Sequence, residues 1–109
     1  MKKFCLALDL IDDPELIAEY EKYHQNVWTD IKQSILNSGI VNMEIYRVQN
    51  RLFMIVEADE NFSFEAKNEA DEKNAKVQEW EELMWKFQQQ LPNSKPEEKW
   101  QLMDKIFSL

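Results

Sequence analysis

The chain of 109 residues contains one histidine, His24. Tyr20 stands four residues before it and Trp28 four after. On a helix that spacing puts the three side chains on one stripe, a turn apart. Leu16, Val27, Ile31 and Ile35 join the stripe, while Glu19, Lys22, Asp30 and Gln33 fall opposite. A helix turns its apolar stripe to the core, so the imidazole points inward among aromatic and aliphatic neighbours. Its ordinary pKa, ~6.5, makes histidine the natural proton shuttle at neutral pH. An inward histidine is nonetheless more often a hydrogen-bonded core residue than a catalyst.

Other residues supply what a pocket around His24 would need. Val77, Trp80, Met84, Phe87 and Leu91 form a second stripe at helical spacing, so Trp80 can approach His24 if both helices cover one sheet. Asn42 and Tyr46 lie on a strand-like run that would pass beneath. Aromatic faces, one acid–base group, and hydroxyl and amide groups suit a neutral polyhydroxylated ligand. Its C–H faces stack on the rings and its hydroxyls meet a few fixed donors and acceptors. Singly, Trp28, Trp80 and Trp100 read as core residues. The acidic run Glu79, Glu81, Glu82 reads as the solvated edge of a helix.

Composition removes several chemistries. The net charge of −8 argues against nucleic acid and anionic membranes, which require a basic patch. Cys5 is the sole cysteine, which excludes an internal disulfide and a cysteine-built metal centre. One histidine with scattered carboxylates gives no metal-ligand spacing. A chain with one glycine cannot build a glycine-rich phosphate loop. No apolar run approaches the ~20 residues of a membrane span. The N-terminal apolar run after Lys3 is broken at Asp9 and reads as a strand, not a secretory signal. These features point to a cytoplasmic protein with a small-molecule ligand.

The elements that must hold these residues follow from the pattern. Lys3 to Leu10 alternates, with Phe4, Leu6 and Leu8 on one face, and is predicted as a strand. Asp12-Asp13-Pro14 starts a helix that is expected to run unbroken to about Asn37, with Gly39 as its left-handed C-terminal cap. Val41 to Val48 and Arg51 to Ala58 are two strands joined by a tight turn at Gln49-Asn50. The second is apolar on both faces and belongs inside the sheet. Phe62 to Ala70 forms a short helix, and a long helix runs from Ala75 to about Gln90. Lys99 to Leu109 alternates and closes the chain as a final strand.

That order predicts one α+β domain over residues 1–109: a ferredoxin-like βαββαβ fold with an antiparallel sheet and the helices on one face. The other face also carries apolar residues, so a homodimer, a dimeric α/β barrel, is expected.

The stretch from Glu19 to Trp28 resembles the Tyr-x-x-x-His-x-x-x-Trp helix of the L-rhamnose mutarotase family. The resemblance continues through Asn42-Met43-Glu44-Ile45-Tyr46, Arg51-Leu52-Phe53, Val77-Gln78-Glu79-Trp80 and the stretch from Trp100 to Leu109. It implies a cofactor-free epimerase acting at the anomeric carbon of a 6-deoxy-L-sugar, with L-rhamnose first and L-fucose as competitor. It implies His24 as proton donor and Tyr20 and Trp80 as substrate contacts. Glu81 stands where the family has a second tryptophan, and Met43 where it has a tyrosine. Both, with Tyr46, are expected on the pocket wall. Two other classes fit a ferredoxin-like dimer: a haem-binding or monooxygenase-like protein, and a non-catalytic sugar-binding module.

Overall fold

The computed structural model describes residues 1–109. Strand β1 (Lys2–Leu10) is the centre of the molecule. It pairs antiparallel along its length with β3 (Arg51–Ala58), which pairs in turn with β2 (Ile40–Val48). The other edge of β1 receives two short strands, β4 (Gln88–Gln89) and β5 (Gln101–Leu102). The sheet order is thus β2-β3-β1-β4, with β5 also on β1, and β3 is interior as its apolar faces require. Helices α1 (Pro14–His24), α2 (Thr29–Asn37), α3 (Phe64–Glu72) and α4 (Ala75–Trp85) complete the ferredoxin-like α+β fold.

The pleat decides which side chains meet the helices. Leu6, Leu8 and Leu10 of β1 and Leu52 and Val56 of β3 are buried in the core. Met43 and Ile45 of β2 share that face by register. Two apolar clusters result. One joins Leu10 and Leu52 to Tyr20, Ile31, Trp80 and Met84; the other joins Leu6 and Val56 to Ile40, Ala58 and Phe62. On the opposite face the pairing aligns Ala7, Phe53 and Tyr46, and Tyr46 and Val48 are exposed there.

Local signals set the ends. Asp13 accepts from the backbone N–H groups of Glu15 and Leu16, with Pro14 opening α1. Gly39 follows α2 at φ +101°, and a Cβ there would lie 2.9 Å from an Asp59 carboxylate oxygen. Both the left-handed backbone and the close approach require glycine. Gln49 takes φ 52° in the two-residue β2–β3 turn, so a glutamine carries the conformation usually given to glycine.

Four expected elements differ. The single helix from Pro14 to Asn37 is two helices, because Trp28 is extended at φ −56°, ψ 139°. Before it the backbone tightens, with the Gln25 and Asn26 N–H groups bonding to Lys22 and Tyr23 carbonyls. Asn26 and the β-branched Val27 are poor helix formers. An unbroken helix would extend ~36 Å, longer than the strands it must cover, ~30 Å. The last long helix ends at Trp85 rather than Gln90, and Gln88 and Gln89 pair with Leu10 and Asp9. The final strand keeps only Gln101–Leu102, with one further bond from the Met103 N–H to the Cys5 carbonyl. Beyond it Ile106, Phe107 and Leu109 are exposed. The short helix is shifted to Phe64–Glu72 because Ser63 caps it through the Ala66 N–H.

Candidate active site

A cavity of about 720 Å³ lies between the helices and the sheet. His24, Tyr20 and Trp80 stand on one wall, and Met43 and Ile45 rise from β2 beneath them. Glu81, Lys67, Asp71 and Lys99 line its polar part. Of the side chains expected at the pocket, Tyr20, His24, Met43, Trp80 and Glu81 all line it. Tyr46 does not join them. By register it shares a face with Phe53, opposite Met43 and Ile45, and its hydroxyl donates to Glu44 at 3.2 Å. Asn42 takes the same face and bonds Glu57 at 3.1 Å. A period of two cannot send both Met43 and Tyr46 into one cavity.

His24 ends α1, where the last turn leaves carbonyls without helical partners. Its Nδ1 lies 2.9 Å from the Tyr20 carbonyl oxygen, which can only accept. Nδ1 therefore carries a proton, which leaves Nε2 as the ring nitrogen without a hydrogen-bond partner in the chain. The ring is wedged between Tyr20, at 4.4 Å between centroids, and Trp80, at 5.8 Å and 67°. Trp28 meets Trp80 edge-on at 5.0 Å. The helix break thus leaves Trp28 against the back of the cavity tryptophan rather than one turn above His24.

The buried Tyr20 hydroxyl lies 3.3 Å from the Gln88 amide nitrogen, which donates to it. Burial pushes its pKa up to about 12, against the lowering effect of that bond. Tyr20 is a neutral phenol at physiological pH. Glu81 is half-buried, and desolvation raises its carboxyl. Lys99 opposes that shift, Asp71 adds to it and Lys67 opposes it. A carboxylate with a raised pKa is a better proton acceptor than a solvated one.

Three contributors escaped the sequence reading. Gln88 falls within the helix expected from Ala75 to about Gln90, although its buried amide serves Tyr20 from a strand. Lys67 and Asp71 form an (i,i+4) ion pair at 2.6 Å. The spacing was there to be read, but the expected helix ended at Ala70 and cut the pair. No three His, Cys, Asp or Glu side chains converge to hold a metal ion. No helix is long and apolar enough to cross a membrane.

A ferredoxin-like sheet, an aromatic cavity and a single oriented imidazole suit an enzyme that moves protons on one class of small polar ligand. The family comparison states which. Residues 3–109 match the model of the L-rhamnose mutarotase family, and the chain belongs to that family. It is a carbohydrate mutarotase. An L-fucose mutarotase of Xanthomonas campestris is 41% identical, over 100% of this chain and 89% of that protein. A UPF0734 protein of Dictyostelium discoideum is 38% identical, over 99% of this chain and 90% of that one. Among solved structures, an L-rhamnose mutarotase of Formosa agariphila superposes with a TM-score of 0.73 at 17% identity, covering 100% of this chain and 99% of that chain. The tetracenomycin F2 cyclase of Streptomyces glaucescens shares the fold at 16% identity, with a TM-score of 0.67 and 100% and 97% coverage. A dimeric ferredoxin-like protein from an uncultured marine organism does so at 18%, with a TM-score of 0.57 and 98% and 90% coverage.

Proposed function

We propose that this mutarotase interconverts the α and β anomers of a 6-deoxy-L-hexose, L-fucose ahead of L-rhamnose, with His24 as proton donor. The observation that supports the role of His24 is its Nδ1 bond to the Tyr20 carbonyl, which leaves Nε2 free on a residue that lines the cavity. The 41% identity to an L-fucose mutarotase favours L-fucose. Protonated Nε2 gives its proton to the ring oxygen as the C1–O5 bond breaks. Glu81 takes the proton of the anomeric hydroxyl, and C1=O1 forms. Rotation about C1–C2 presents the other carbonyl face, and the two proton transfers reverse on closure. Trp80 and Tyr20 hold the sugar's C–H faces.

General acid and base groups each contribute ~10²–10⁴-fold. His24→Ala is therefore expected to slow anomer exchange at least ~10²-fold while keeping the fold. NMR saturation transfer between the α and β signals of L-fucose and L-rhamnose measures it, and undiminished exchange by the folded variant refutes the assignment. The raised Glu81 carboxyl must be ionised to act as base, so wild-type exchange is lost as pH falls through that raised pKa. Glu81→Gln should slow exchange and abolish that acid limb. An unchanged profile removes Glu81 from the mechanism.

We further infer that the protein is a homodimer joined through the helix-free sheet face. Phe53 and Tyr46 on that face, together with the exposed Ile106, Phe107 and Leu109 of the C-terminal stretch, support the reading.

A further inference from the structure

Lys67 and Asp71 form an ion pair inside the cavity that takes no part in the proton transfers beyond its opposed effects on Glu81. The Lys67 ammonium lies 2.6 Å from Asp71 Oδ2, with side chains only 18% and 10% exposed. The Ser34 hydroxyl donates to Asp71 Oδ1 at 3.3 Å, and the Gln78 amide donates to the Asp71 carbonyl at 2.9 Å. Asp71 is thus fixed from α2, from α4 and from its own helix. Removing an ammonium and a carboxylate from water is costly, and replacing a buried pair by apolar groups is often neutral or stabilising. Lys67 and Asp71 sit one turn apart on α3, so the ion pair itself joins no second element. Both nevertheless line the cavity, as does Ser34.

The pair still has capacity to spend on a ligand. An ammonium has three donors and a carboxylate about four acceptor sites. Asp71 uses one site for Lys67 and one for Ser34, and Lys67 uses one donor for Asp71. A donor and an acceptor held side by side match two adjacent hydroxyls of a pyranose, one accepting from the ammonium and one donating to the carboxylate. In a pyranose the edge opposite the reacting O5–C1 bond is C3–C4. With O5–C1 at His24, that edge is the one turned away from the imidazole.

We propose that Lys67 and Asp71 bind the O3–O4 diol of the sugar and are specificity determinants of this mutarotase. The inference rests on the mutarotase reading and on His24 as the reacting end. L-fucose and L-rhamnose differ in configuration at C2 and C4, so a diol site at O3–O4 distinguishes them through O4 and is indifferent to O2.

The test uses L-fucose, L-rhamnose, and the 2-deoxy and 4-deoxy analogues of whichever binds more tightly. Binding is measured by calorimetry and exchange by NMR saturation transfer. Wild-type protein is expected to bind the 4-deoxy analogue about tenfold or more weakly than the parent, and the 2-deoxy analogue within about threefold. The double variant Lys67→Met/Asp71→Leu leaves no unpaired charge. It should raise KM for the parent about tenfold, keep kcat within about threefold, and lose the preference for a 4-hydroxyl. Fast wild-type exchange with equal affinity for parent and 4-deoxy analogue overturns the diol site and leaves the mutarotase standing. So does an unchanged KM in the double variant. Binding that depends on the 4-hydroxyl and on the pair, without faster exchange, supports the diol site and overturns the mutarotase reading. Wild-type protein that binds neither sugar overturns both. The analogue series on wild-type protein needs no variant, so it decides even if the double variant does not fold.

Discussion

At the scale of single residues, Tyr20 shows how a side chain can be legible in type and position while its role is not. Its four-residue spacing from His24 is plain in the sequence. Its partner Gln88 is 68 positions away and required the fold. Burial raises the Tyr20 pKa from 10.0 to about 12, so the unfolded chain loses this proton first as pH rises. The contribution to stability is full below pH 10 and is lost between pH 10 and about 12. Two pH units of difference amount to about 2–3 kcal/mol at the alkaline end. Tyr20→Phe should cost about 1–2 kcal/mol at pH 8, since the buried Gln88 amide loses its acceptor. It should also be free of this alkaline loss. Urea unfolding at pH 8 and pH 11 is expected to show the gap between wild type and variant narrowing by about 1 kcal/mol. A gap that stays constant would mean that Tyr20 ionises equally in both states.

At the scale of elements, periodicity finds the three long strands β1, β2 and β3 and misses the two-residue β4, which falls inside an expected helix. The run from Arg51 to Ala58 was placed inside the sheet because Phe53 and Ile55 alternate with Leu52, Met54 and Val56, and it lies between β1 and β2. Continuity was harder to read than type. The stripe from Leu16 to Ile35 is consistent with one helix, and neither proline nor glycine interrupts it. The break at residues 25–28 comes from weak helix formers and from the reward of packing Trp28 on Trp80, a tertiary contact that local pattern does not contain. The closing strand was overextended for a related reason. Met103 to Leu109 alternates like a strand, but only Gln101–Leu102 has a pairing partner on β1. Alternation states that a segment suits a pleated, half-buried place without stating what supplies the other half. Met43 and Tyr46 make the same point inside one strand. Alternation separates them correctly, and the wall position of Met43 follows from the register with β3.

At the scale of the molecule, the unsupplied half becomes a prediction. The tail after β5 exposes Met103, Ile106, Phe107 and Leu109, with Ile106 at 95% and Phe107 at 76%. A chain of net charge −8 has ample polar residues for a solvated terminus, yet this segment concentrates apolar ones. Burying each large apolar side chain gains ~1.5–3 kcal/mol, and the helix-free sheet face of a second copy offers Phe53 and Ile55 as the surface to bury them on. A closed two-fold pair would satisfy both tails at once, since each copy gives one tail and one face. Deleting residues 103–109 should therefore weaken the dimer without unfolding the protomer, because the core clusters contain none of those residues. Sedimentation of the full-length and shortened proteins over a range of concentrations measures this. The expected result is a dimer for the full chain, with the shortened chain dissociating at concentrations at least tenfold higher. Two copies paired with equal strength after the deletion would show that the sheet face alone holds the dimer. A full-length protein that sediments as a monomer would show that the tail has no partner in a second copy.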